Sequence, residues 1–151
     1  MTTILQGAAV IGQSGGPTVV INQSLVGAIQ EAAQHDCITK MLGARHGVKG
    51  MMDGDLIDLS LETADTLEAI AKTPAASLGS VRMKPTAEDV AKIVEGLRRF
   101  DVRYFFYIGG NDTAETAHIV EQLSVEQGYK MRCFHIPKTI DNDLRVTDHC
   151  P

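Results

Sequence analysis

The sequence predicts a doubly wound, Rossmann-like α/β domain in which a mostly parallel sheet carries helices on both faces. Three observations lead to this prediction. Short apolar segments alternate with amphipathic ones along the chain, polar loops rich in glycine follow the apolar segments, and 151 residues with 44% hydrophobic content suffice for one globular core. Alternating strands and helices imply right-handed crossovers, so the strands should run parallel within one domain spanning residues 1–151.

The first half of the chain contains a strand, a helix and two further strand segments. Residues 8–11 form a short apolar run typical of a buried strand, and residues 19–33 carry apolar side chains at helical spacing. Residues 38–44 are a plausible second strand, followed at 47–50 by glycines that favour a turn. Residues 56–59 are a candidate for a short extra strand.

The second half repeats the alternation. Residues 63–72 indicate a short helix, and Thr86 to Asp89 resembles a capping box ahead of a longer one. An aromatic run at 104–108 predicts a central strand, followed by a helix at about 113–127 and a strand at about 131–136. No helix follows this last strand, so we expect the chain to be the N-terminal part of a larger protein.

Composition excludes several classes of protein. A net charge of −5 argues against nucleic-acid binding, and no segment approaches the roughly 20 apolar residues of a membrane span. Cys37, Cys133 and Cys150 are odd in number and lack zinc-like spacing, so we expect reduced thiols in a cytoplasmic protein.

Polar loops follow three of the predicted strands, and the carboxyl ends of parallel strands meet along one edge of a sheet. Gly15 and Gly16 in the first loop suit either a tight turn or a phosphate site at a helix N-terminus. Arg82, which follows Gly79 and Ser80, is either a solvated surface arginine or a phosphate clamp.

The other two loops carry carboxylates. Asn111 and Asp112 suit helix capping, a functional role, or both. Lys138 stands close to Asp141 and Asp143 directly after a strand, which a plain turn does not require, so we interpret this group as phosphoryl-transfer chemistry.

Together these loops resemble the phosphofructokinase family. The motifs are Ser14 to Pro17 with Asn22, Gly47 to Gly50, Leu78 to Arg82, Ile108 to Thr113 and Pro137 to Asp143. The resemblance implies that Asp141 is the base for the sugar C1 hydroxyl, and that Thr139 and Asp143 contact the sugar phosphate or the metal site. It further implies that Gly16 and Arg82 bind the phosphoryl donor, that Mg²⁺ is the cofactor, and that the full-length enzyme is a homo-oligomer.

Asp112 and Lys138 stand where ATP-using members of that family have glycine, and Val48 where they often have an aromatic residue that stacks on adenine. The resemblance therefore implies pyrophosphate as donor and fructose 6-phosphate as acceptor, and we expect the 151-residue piece alone to be inactive or nearly so. The alternatives are an ATP-dependent phosphofructokinase and a catalytically silent phosphate-binding subunit. The second gains some weight from Asn111, because the family usually has aspartate there. The predicted sites are catalytic Asp141 and Lys138; donor-binding Gly15, Gly16, Arg82, Gly110, Asp112 and Thr113; substrate-binding Thr139, Asp141 and Asp143; and metal-binding Asn111 and Asp112.

Overall fold

A five-stranded sheet forms the centre of the domain. The computed structural model describes residues 4–142 and 145–146. The strands lie in the order β3-β2-β1-β4-β5, and all neighbours pair in parallel except β3, which runs antiparallel to β2. Their bounds are Gly7–Gln13 (β1), Ile38–Ala44 (β2), Leu56–Asp58 (β3), Val102–Gly109 (β4) and Arg132–Pro137 (β5). The mostly parallel, doubly wound prediction is confirmed.

Helices cover both faces of this sheet. On one face, Ile21, Leu25 and Ile29 pack on the β1 side chains Ala9 and Ile11. On the other face, the apolar side of the helix that follows Thr86 packs on Val10 and Phe105. The helices are Ile21–Ala32 (α1), Val48–Asp53 (α2), Ala64–Ala71 (α3), Ala87–Arg99 (α4) and Asn111–Glu126 (α5), with a 3₁₀ turn at Leu59–Leu61.

The predicted capping box begins helix α4. The Thr86 hydroxyl accepts from the backbone N–H of Asp89 at 3.3 Å, and the Asp89 carboxylate accepts from the backbone N–H of Thr86 at 2.9 Å. Arg98 and Arg99 occupy the last turn, where positive charge favours the carbonyl end of a helix.

Two elements differ in extent from the sequence expectations. The turn expected at 47–50 ends at Gly47, which has positive φ of 60°, and α2 begins at Val48. A Cβ on Gly47 would lie 2.9 Å from the Gln13 carbonyl oxygen, so this helix start packs directly against the end of β1. Helix α5 begins at Asn111, two residues earlier than expected.

The cysteines described by the structure are free thiols. Cys37 and Cys133 form no disulfide, while Cys150 lies outside the described residues. Burial raises the pKa of Cys133 to about 12, so this thiol is protonated at neutral pH. Within the described ranges, no helix has the length and apolar character needed to cross a bilayer.

Candidate active site

The three loops meet in one cavity of about 420 Å³ at the carboxyl ends of β1, β4 and β5. This is the edge where the chain winds in opposite directions from β1, and ligands in such sheets bind there. Every predicted site residue that the structure describes lines this cavity: Gly15, Gly16, Arg82, Gly110, Asn111, Asp112, Thr113, Lys138, Thr139 and Asp141. Asp143 lies outside the described residues.

Lys138 connects the loop after β5 with the loop after β1. Its side chain is only 5% exposed, and Nζ donates to the Gly16 carbonyl oxygen at 2.6 Å. Its backbone N–H donates at 2.9 Å to the carbonyl oxygen of Gly109, the last residue of β4. Lys138 therefore holds three strand ends together at the cavity.

The surroundings of this ammonium disfavour its charge. Burial lowers the pKa of Lys138, the nearby Arg82 guanidinium lowers it further, and Asp141 acts in the opposite direction. A polyanion bound in the cavity would compensate the positive charges of Lys138 and Arg82. The electrostatics of this wall thus favour a phosphate ligand.

Gly15 and Gly16 bring backbone close to both cations. Gly15 has φ of 75°, the left-handed region that favours glycine, and a Cβ there would lie 3.2 Å from Lys138 Nζ. A Cβ on Gly16 would lie 3.3 Å from an Arg82 Nη atom. Side chains at these positions would occupy the space between the loop and the cations.

Arg82 reaches the site on a loop that pairs with the end of β1. Ser14 forms a parallel bridge with Val81, and the Gly15 N–H donates to the Val81 carbonyl oxygen at 3.3 Å. Ser80 Oγ donates to the Gly15 carbonyl oxygen. Arg82 itself is exposed, and among the described residues no carboxylate forms an ion pair with it.

The N-terminus of α5 forms another part of the cavity wall. Gly110 is the N-cap and no side chain caps the helix, so the simple capping interpretation of Asn111 and Asp112 was wrong. Asn111 Oδ1 instead accepts from the Asp112 N–H at 2.9 Å, and both side chains are exposed. Thr113 is buried, and a Cβ on Gly109 would lie 2.2 Å from its hydroxyl, so glycine is required there.

Asp141 and Thr139 form the rim of the cavity. Thr139 Oγ1 donates to the Asp141 carboxylate at 3.2 Å and accepts from the Asp141 backbone N–H at 3.1 Å. These two contacts fix the carboxylate relative to the strand end while leaving it exposed to solvent. An exposed, oriented carboxylate can accept a proton from a bound hydroxyl group.

Some site residues were missed at the sequence level. Lys84 and Thr116 also line the cavity, and Lys84 pairs with Glu115 at 2.9 Å, which raises the pKa of Lys84. A second cation two residues after Arg82 was a usable signal for Lys84. His135 is partly buried, and its Nε2 lies 2.7 Å from the Gly109 carbonyl oxygen.

Oxygen ligands for Mg²⁺ are present but few. Asn111, Asp112 and Asp141 offer oxygen atoms on the cavity walls, and the described residues contain no cluster of three or more His, Cys, Asp or Glu side chains suited to a metal. Mg²⁺ usually takes one or two protein carboxylates and completes its shell with water and phosphate oxygens. The residues fit a cation that is held mainly through a phosphate ligand.

Comparisons with known proteins show the family to which this chain belongs. The phosphofructokinase family model matches residues 8–151. Proteins called pyrophosphate–fructose 6-phosphate 1-phosphotransferase are 47% identical in Rhodospirillum rubrum, over 98% of this chain, and 47% identical in Xanthomonas campestris, over 96% of it. The chain spans only 37% and 35% of the lengths of these two curated relatives.

A solved structure shows the same fold. The pyrophosphate-dependent phosphofructokinase from Marinobacter aquaeolei superposes with a TM-score of 0.91 at 44% identity. The match covers 96% of this chain and 36% of that one.

Proposed function

The chain belongs to the phosphofructokinase family, and from that premise we propose that the full-length protein transfers a phosphoryl group from pyrophosphate to fructose 6-phosphate. The C1 hydroxyl oxygen forms the new bond to phosphorus, and the bridging P–O bond of pyrophosphate breaks. The products are fructose 1,6-bisphosphate and inorganic phosphate. In this proposal the enzyme works in the cytoplasm as a homo-oligomer.

The observation that carries the proposal is that Asp112 and Lys138 share one cavity with Gly16 and Arg82. ATP carries one more phosphate group than pyrophosphate. In this proposal that group would bring negative charge close to the Asp112 carboxylate, and the two would repel each other. Lys138 is buried beside the glycine loop and adds a cation that a small, highly charged donor can use. This combination favours pyrophosphate over ATP.

Each group then has a chemical task. Asp141 takes the proton of the C1 hydroxyl, and Thr139 keeps its carboxylate oriented. Arg82, Lys138 and the backbone of Gly16 hold the donor and offset the charge that spreads over the transferred group. Asp143 is proposed to contact the sugar phosphate.

Asn111 and Asp112 would hold Mg²⁺ together with the donor oxygens. When bound, the ion would neutralise part of the pyrophosphate charge. The protein side chains keep their own tasks of binding, orientation and proton transfer.

The test is an assay of the full-length protein with Mg²⁺ and fructose 6-phosphate, given pyrophosphate in one reaction and ATP in the other. We expect turnover with pyrophosphate alone. Asp141→Asn should lower kcat at least about 100-fold at unchanged thermal stability, because a positioned base contributes roughly that much. Asp36→Asn, at an exposed turn away from the cavity, is the matched control. Turnover with ATP alone, or full activity of Asp141→Asn, would contradict the proposal.

A further inference from the structure

Two side-chain amides, Gln13 and Asn22, are completely buried behind the glycine loop. Gln13 is the last residue of β1, and Asn22 is the second residue of α1. Gln13 Nε2 donates to Asn22 Oδ1 at 2.9 Å, so the two amides form one unit. Neither lines the donor cavity.

Gln13 Nε2 also donates to the Ile21 carbonyl oxygen at 3.3 Å, and the other hydrogen bonds of these amides go to the backbone of residues 73–78. Asn22 Nδ2 donates to the carbonyl oxygens of Thr73, at 2.9 Å, and of Ala75. Asn22 Oδ1 accepts from the Ser77 N–H at 3.0 Å, and Gln13 Oε1 accepts from the Leu78 N–H at 2.9 Å. Two side chains therefore satisfy four backbone groups of one segment.

The other hydrogen bonds of this segment are local or lie at its ends: Thr73 donates to the carbonyl oxygens of Ile70 and Ala69, each at 2.9 Å, and the Ala76 carbonyl oxygen accepts from the Gly79 N–H at 2.9 Å. Thr73, Ala75 and Ser77 are exposed, and Leu78 is its one buried side chain. A segment with few apolar contacts opens easily unless buried groups of the protein form hydrogen bonds with its backbone. Because a buried amide without partners is costly, the amides favour a single path of the backbone through 73–78.

That path leads directly to Arg82. The Leu78 carbonyl oxygen accepts from the His46 N–H at 2.8 Å, and a Cβ on Gly79 would lie 2.6 Å from the His46 ring, which allows little shift there. From Gly79 the chain runs to the bridge between Val81 and Ser14. The amides thus act at one end of the loop and the donor-binding arginine lies at the other.

We propose that Gln13 and Asn22 are positioning residues that set Arg82 against the Gly16 loop and so determine the affinity for the phosphoryl donor. The inference rests on the proposed function, since it takes this cavity as the donor site. The amides touch no substrate and act through Arg82.

Two variants of the full-length protein remove hydrogen bonds that anchor the backbone of residues 73–78. Asn22→Asp keeps an acceptor for Ser77 but turns an oxygen toward the carbonyl groups of Thr73 and Ala75. Gln13→Met keeps the side-chain length and removes the bond to Leu78 together with those to Asn22 and Ile21. Gln23→Ala is the matched control, because that exposed amide of α1 donates to the Ala71 carbonyl oxygen at 3.0 Å, just outside the segment.

We expect each amide variant to raise the KM for pyrophosphate about tenfold or more, which is on the order of losing one hydrogen bond to a charged group. The KM for fructose 6-phosphate should change less than about twofold, and Gln23→Ala should behave as wild type. In an Arg82→Ala background, Asn22→Asp should add less than about twofold, because residues that act through one another are not additive. Thermal unfolding of each variant identifies any that fail to fold.

Equal rises in both KM values, or a full additional effect in the Arg82→Ala background, would overturn the positioning role. The donor assay of the wild type distinguishes failure of this positioning role from failure of the proposed function. If the wild type uses ATP instead, the same variants are tested on the KM for ATP, and an unchanged value overturns the inference. A wild type that uses neither donor overturns both.

Discussion

Asp112 gives the sharpest test of donor choice, because its carboxylate stands on the cavity wall in the first turn of α5. Two substitutions separate its charge from its volume. Asp112→Asn removes the charge at nearly constant shape, whereas Asp112→Gly also opens the space. We expect both variants of the full-length protein to gain use of ATP relative to pyrophosphate.

The magnitude depends on how well water screens the carboxylate. Two like charges 4 Å apart repel by about 1 kcal/mol in bulk water and by about 4 kcal/mol at an effective dielectric constant of 20. Asp112 is exposed, so the lower part of this range applies. We expect the ratio of kcat/KM for ATP to that for pyrophosphate to rise by about 10- to 50-fold in Asp112→Asn.

The assay measures kcat/KM for each donor at saturating fructose 6-phosphate and Mg²⁺. Asp65→Asn is the matched control, because Asp65 lies in the first turn of α3 and does not line the cavity. Removing a first-turn carboxylate costs a helix about 0.3–1 kcal/mol, so both Asn variants should show a similar small fall in Tm. A donor ratio unchanged in both Asp112 variants would refute the charge argument, and a change confined to Asp112→Gly would assign the exclusion to volume.

Three further predictions concern packing and titration. Gly96→Ala should destabilise the fold by about 1–3 kcal/mol despite the better helix propensity of alanine, because its Cβ would lie 2.2 Å from the Met51 carbonyl oxygen. Gly27→Ala meets nothing within 4 Å and should stabilise by about 0.5–1 kcal/mol, so equal shifts of the two urea midpoints would contradict this packing argument. The pKa of Lys138 is lowered in the folded state. Between that lowered pKa and the ordinary value of 10.5, the unfolded chain therefore holds more protons than the folded chain, and folding becomes more favourable as pH rises. The stability of wild type relative to Lys138→Met should therefore increase over that interval, and a flat difference in unfolding free energy would refute it. Iodoacetamide should label Cys133 only after unfolding, because a pKa of about 12 instead of 9.0 leaves roughly 1,000-fold less thiolate, and rapid labelling of the folded protein would count against its burial.

The sequence could predict that these loops line one cavity, because their meeting follows from strand order. Gly16, Asp112 and Lys138 each come just after a strand, and parallel strands bring their carboxyl ends together. The helix α2 was missed because its glycines are read locally as turn formers. In the fold, a Cβ on Gly50 would lie 2.1 Å from the Arg45 carbonyl oxygen, so close packing requires glycine within a helix.

Long-range contacts were beyond the sequence patterns. Lys138 could be assigned to phosphate chemistry from its neighbours, but its bond to Gly16 joins residues 122 positions apart. Similarly, Gln13 and Asn22 carry no local signal for a loop more than 50 residues away, because a buried amide is recognised only when its partners are known.

These long-range bonds have a consequence for how the site binds an anion. Lys138 joins the Gly16 and Gly109 carbonyl groups, and Ser80 joins the arginine loop to Gly15. The walls are therefore fixed to one another by bonds within the protein, which reduces the ordering that a donor must impose on binding. Shared bonds also make the walls interdependent, since loss of the Lys138 ammonium frees the Gly16 carbonyl beside Arg82. The effects of Lys138→Met and Arg82→Ala on the KM for pyrophosphate should then combine to less than their sum in free energy, whereas independent phosphate contacts would give the full sum.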